Sequence, residues 1–282
     1  MNVVDWCTNI FQSETLEAKM LSPDIITDYS YKELMDFDLS EPGRSLEIQF
    51  SKQKIKFPKV AGFRDVEVKA KALAFFANHE LEAIEMMCAA IIKFGNQLPE
   101  KEFVKISRGI VSSIKDEQRH LKLYLNRIND FGSSIDRYPL NDFFWKQFSK
   151  MNSFDDFFAL MSLTLEAANL DFCLYYEKVF RDLEDEKTAK IMREVYNDEL
   201  NHVKVGIYWL NKWRENDSLW DYYLAHLPEK ISPERSKGIE FSKSSRKKVG
   251  MDEKFLSSLM SFTDTFLIPK RKTNHDLLSK QF

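Results

Sequence analysis

One short word, written twice, constrains this chain more than any other feature: Asp116-Glu117-Gln118-Arg119-His120 and Asp198-Glu199-Leu200-Asn201-His202. On an α-helix, positions i and i+3 project from one face. Glu117 with His120, and Glu199 with His202, can therefore each grip a single cation. The rest of the chain supplies the helices. With only 8 Gly and 8 Pro against 30% charged residues, it is poor in turn formers and rich in helix formers. Hydrophobic residues make up 44%, including 23 Phe, enough for a sizeable core.

Helical periodicity marks four long segments, at residues 67–95, 100–131, 153–183 and 186–214. Gly95 can end the first and Pro99 suits the first turn of the second. The second stops at Phe131-Gly132-Ser133-Ser134, and Ser153 with Asp156 forms a capping signal for the third. Residues 134–152 are long enough to cross the end of a bundle. The connections thus run short, long, short, which predicts an all-α, ferritin-like four-helix bundle with one long crossover. Residues 1–66, with one short helical segment and an extended stretch through Phe57-Pro58-Lys59, form an N-terminal arm wrapping the bundle of residues 67–214. Residues 215–282 form a C-terminal helical appendage with short helices near 218–227 and 252–262, and neither end is expected to fold alone.

A bundle with two such words needs one further carboxylate from each remaining helix. Glu80 lies in an apolar stripe with Leu73, Phe76, Ala77, Ile84 and Met87, and Glu166 in one with Leu163, Leu170 and Cys173. An unpaired buried carboxylate is costly, so each demands a cation. The stripes contain no matching Arg or Lys, which argues against buried salt bridges as the explanation. Glu80 and Glu117 lie at similar heights when counted from the hairpin. Glu85 sits too near the turn and is read as supporting a ligand from behind or pairing with a cation, while Glu82 is read as solvated. Four glutamates balance two divalent ions. Oxygen and imidazole donors without thiolate suit iron or manganese.

The two Glu-x-x-His pairs with a Glu on each remaining helix resemble the ferritin-like di-metal carboxylate superfamily, which includes ribonucleotide reductase small subunits, multicomponent monooxygenases, rubrerythrins and a tRNA hydroxylase. The words Phe76-Ala77-Asn78-His79-Glu80-Leu81, Leu163-Thr164-Leu165-Glu166-Ala167-Ala168-Asn169-Leu170-Asp171-Phe172 and Ile231-Ser232-Pro233-Glu234-Arg235-Ser236-Lys237-Gly238 look like those of a bacterial ferritin-like family whose function is not established. The resemblance spans roughly residues 60–262. It implies that Asp198 orients His120 and Asp116 orients His202, fixing each tautomer; the alternative is that both acids face solvent. It also places Tyr124, one turn after His120, where the reductase subunits hold a redox-active tyrosine, although a core aromatic is the competing reading. Gly206, one turn after His202, points to close packing or to substrate space beside the metals. His79, His226 and His275 are assigned no chemistry.

The expected function is an oxygen-activating oxidase or hydroxylase that binds two transition-metal ions, Fe/Fe with Mn/Fe or Mn/Mn as alternatives. It would use O2 and take electrons from a separate reductase, since no rubredoxin, flavin or haem motif is visible. The alternatives are an iron-oxidising or peroxide-scavenging protein and a metal-stabilised binding module. Cys7, Cys88 and Cys173, odd in number and isolated, are expected to be buried thiols. The start of the chain lacks a signal-peptide pattern and the apolar runs are short, so a cytoplasmic protein without a membrane span is expected. The net charge of -3 hides a basic stretch at 230–272, with eleven Lys/Arg and five Asp/Glu. Arg235, Lys237, Lys243, Arg246, Lys247, Lys248, Lys270, Arg271 and Lys272 are read as recruiting an anionic substrate or nucleic acid, or else as a solvated tail.

Overall fold

The computed structural model describes residues 1–34, 37–53 and 56–264. Among these residues the chain is all-α, with two isolated bridges (Asn2 with Asp28, Phe50 with Leu140) in place of strands. It divides into two compact units, residues 1–157 and 158–282, and each contains one antiparallel pair of long helices.

In the first unit, α1 (Val3–Gln12) and α2 (Leu16–Lys19) precede the hairpin of α3 (Val66–Phe94) and α4 (Glu100–Asp130), with α5 (Trp145–Phe148) following. The arm thus holds two short helices where the periodicity suggested one. α1 presents Val3, Val4, Trp6, Cys7, Ile10 and Phe11 as a buried apolar face and packs on α3. The hairpin turns where expected. At Gly95 a Cβ would lie 2.4 Å from the Tyr31 ring and 2.6 Å from that of Phe103, so only glycine admits these aromatics. α4 ends on Gly132 at φ 72°, with the Ser133 N–H donating to the Ile128 carbonyl, a glycine-dependent C-terminal cap.

α6 (Phe154–Leu160) begins at the cap read from the sequence, since the Asp156 N–H donates to Ser153 Oγ and the Asn152 N–H to the Asp156 carboxylate. It does not run on as a uniform α-helix. A wide π turn, Met161–Glu166, joins it to α7 (Ala167–Asp182), and the Ala167 N–H reaches back five residues to the Ser162 carbonyl. α7 pairs with α8 (Glu186–Trp213), capped by Asp185, whose carboxylate accepts from the Thr188 N–H. Short helices α9 (Leu219–His226), α10 (Lys243–Lys248) and α11 (Glu253–Ser261) complete the second unit. α10 lies inside the basic stretch, where the periodicity suggests no helix.

The continuous helix 154–182 is long and apolar enough to cross a membrane, contrary to the expectation from run lengths. However, 78% of its most apolar window is buried within the protein, as in a core helix. Cys7, Cys88 and Cys173 are buried thiols outside any disulfide, and burial beside Cys88 pushes the Cys7 thiol well above its ordinary value.

Candidate metal centre

α4 carries Glu117 and His120 one turn apart on its buried face, and Nδ1 of His120 lies 3.2 Å from Glu117 Oε2. The hairpin partner α3 contributes Glu80, also buried. One ligand atom from each of Glu80, Glu117 and His120 falls within 4.8 Å of the others. Two carboxylates and an imidazole removed from water at this spacing are what one divalent cation would neutralise.

The second unit repeats the arrangement with a different backbone. Glu199 and His202 occupy one buried face of α8, with His202 Nδ1 3.4 Å from Glu199 Oε2. The third donor, Glu166, is the last residue of the π turn, and atoms of Glu166, Glu199 and His202 again lie within 4.8 Å of one another. Asn169, one turn into α7, donates from Nδ2 to Glu199 Oε1 at 2.7 Å, holding that carboxylate at a fixed angle. Gly206 belongs to the same frame. A Cβ there would lie 2.2 Å from Ser162 Cβ and 3.1 Å from Leu163 Cδ1, so the glycine serves close packing of α8 on the π turn.

All six ligand candidates are thus buried, and each unit gathers three of them. Oxygen and nitrogen donors of this kind fit a divalent metal ion in each group. The remaining candidates separate. Asp116 and Asp198 are half-buried, and Asp116 pairs with Arg119 on its own helix at 3.3 Å. Tyr124 is buried with its ring 5.8 Å from that of Phe76, an aromatic core contact. His79 stacks on Phe144 and meets Phe75 edge-on, and burial pushes its pKa down to about 4. His226 lies against Tyr222. His275, Lys270, Arg271 and Lys272 lie outside the described residues.

Two expectations need correction. Glu82 is not solvated: it is fully buried, accepts from Asn78 Nδ2 at 2.7 Å and from the Trp145 N–H at 2.9 Å, and burial pushes its pKa up to about 8. Helical periodicity placed it on a polar face, but that face is covered by the segment around α5. Arg246 is not a surface cation. It is fully buried, with Nη1 and Nη2 on the Asp171 carboxylate at 2.6 and 2.8 Å. Several of its basic neighbours are also engaged, Lys237 with Glu234 and both Lys243 and Lys247 with Glu253.

Glu85 resolves to one of its two readings. It sits fully buried in ion pairs with Lys19 at 3.0 Å and Arg44 at 2.6 Å, both supplied by the arm. Sequence reasoning missed Lys19, Arg44 and Asp171. The sole signal for Asp171 was an acid inside an apolar stretch of α7, and nothing local marked the two cations.

The model of the family described as "Protein of unknown function (DUF455)" matches residues 5–257, so the chain belongs to that family. No curated protein and no solved structure matches it.

Proposed function

We propose that this DUF455 family member is a ferritin-like di-metal oxidoreductase, in which Glu80, Glu117 and His120 hold one transition-metal ion and Glu166, Glu199 and His202 the other. The observation that carries the reading is the buried pair of Glu-Glu-His groups, each with donor atoms within 4.8 Å. Iron is the favoured metal and manganese the alternative, because hard carboxylate oxygens with one imidazole per ion suit both. When bound, such ions supply redox chemistry with O2 directed at an organic substrate, and a separate reductase would provide the electrons.

The protein's own part is placement and exclusion of water. Glu117 and Glu199 each stand beside the histidine of their own motif, so one helical turn presents both donors together. Asn169 restricts the Glu199 carboxylate. The apolar residues flanking Glu80 and Glu166, among them Leu73, Ala77, Ile84, Leu163 and Leu170, are buried and keep the surroundings dry. The oxidase reading is favoured over iron storage because the second unit carries α9–α11 beyond its hairpin, additions that a shell-forming ferritin subunit would have to accommodate.

Anaerobic Fe(II) titration followed by O2 exposure tests the proposal. About two ions bound per chain, then an optical transient and no mineral, is the expected result. Many irons per chain would identify storage, two inert ions a binding module, and no bound iron or manganese would overturn the proposal.

A further inference from the structure

The π turn Met161–Glu166 ends on a proposed metal ligand, and such turns are rare, locally unfavourable and concentrated at functional sites. Contacts from outside the helix brace it. Tyr223 of α9, fully buried, lies 2.9 Å from Thr164 Oγ1, and Thr164 Oγ1 lies 2.9 Å from the Ala159 carbonyl. A carbonyl can only accept, so the single Thr164 hydroxyl proton goes to Ala159 and Tyr223 must donate to Thr164. Burial raises the Tyr223 pKa, keeping the phenol in the protonated form this chain of bonds requires. At the far end of the turn, Arg246 of α10 donates from Nη2 to the Ala167 carbonyl at 3.1 Å and to the Ser236 carbonyl at 2.6 Å. Its fork grips Asp171, which also accepts from the Gly238 and Ser242 N–H groups at 2.8 and 2.7 Å. A Cβ at Gly238 would lie 2.4 Å from that of Asp171, so this loop reaches α7 only because residue 238 is glycine.

We infer that the C-terminal segment of the second unit is a brace for the metal site, in which Tyr223 and Arg246 act as positioning residues that hold the π turn in the form that presents Glu166 to the ion. Tyr223 anchors the turn three residues from its start and Arg246 anchors the residue following Glu166. A relaxation of the turn to α geometry would remove one residue from the bulge and rotate Glu166 about the helix axis by about 100°, off the face it shares with Glu199 and His202. The inference rests on the proposed metal-binding role of Glu166.

The test compares wild type with Tyr223→Phe, Arg246→Gln and the ligand variant Glu166→Gln. Tyr223→Phe removes one hydroxyl and keeps the ring, so it holds the fold even where Arg246→Gln does not. Two readouts are taken: anaerobic Fe(II) affinity by calorimetry, and amide hydrogen exchange over residues 161–167 in metal-free protein. The expected result for Tyr223→Phe is Fe(II) binding weakened by about 10- to 100-fold, the range for groups that orient ligands. Exchange should quicken in the turn but not in α8. Fe(II) binding by wild type that Glu166→Gln weakens and Tyr223→Phe leaves unchanged overturns the inference alone. Absence of Fe(II) binding in wild type overturns the metal reading and the inference with it.

Discussion

The two Asp-Glu-x-x-His words are identical at their defining positions, yet the units built around them differ. In the first unit, Glu117 and His120 meet Glu80 across a hairpin of regular α-helices, so register along α3 and α4 is enough to bring three donors together. In the second, the carboxylate that joins Glu199 and His202 comes from a π turn; Tyr223 and Gly206 contact that turn, Arg246 bonds the residue after it, and Asn169 holds Glu199. Ligand spacing alone does not fix the backbone that carries it. A donor on a regular helix is held by the helix, whereas a donor on a widened turn depends on groups from elsewhere in the chain.

The largest test of this contrast removes one ligand at a time. Glu117→Ala and Glu199→Ala are each expected to lower metal content from about two ions per chain to about one, measured by elemental analysis of purified protein. Retention of full content in the double variant would break the comparison, and loss of both ions in either single variant would sharpen it by showing that the two groups bind cooperatively.

A second test contrasts two carboxylates on α3. Glu80 belongs to one of the proposed metal-binding groups, whereas Glu85 is neutralised by Lys19 and Arg44 of the protein itself. Glu85→Ala leaves two cations buried without their counter-charge, and it is expected to cost about 3–5 kcal/mol in urea unfolding while sparing metal content. A loss below about 1 kcal/mol would mean that the arm's cations regain solvent without unfolding the unit.

The smallest effect concerns the acids that open the two words. If each orients the histidine of the opposite word, Asp116→Ala and Asp198→Ala weaken metal affinity by about 10- to 100-fold with the fold retained. Asp116 already pairs with Arg119, so an unchanged affinity confined to Asp116→Ala would assign that residue to its own helix surface and leave Asp198 as the single orienting acid. Calorimetric titration of both variants distinguishes these outcomes.

By itself the sequence determined the long helices and which Glu and His side chains share a face on them. The predicted ends of all four segments fall within a residue of those observed, because caps such as Ser153 and Gly132 and the apolar period are local properties. Glu117 with His120, and Glu199 with His202, were legible for the same reason: an i, i+3 pair shares a face wherever its helix packs. Only the tertiary structure decided the rest. Whether Glu82 meets water depends on Trp145, 63 residues away; one partner of Glu85 is Arg44, 41 residues away; and Arg246 is withdrawn from the surface by Asp171, 75 residues away. The π turn belongs to this second class. The residues of Met161–Glu166 favour a helix without specifying its width, and the wider form persists where Tyr223, Gly206 and Arg246 converge on it. Short-range periodicity cannot encode which distant side chains will cover a helix face, and that covering is what separates a solvated acid from a buried ion pair or a metal ligand.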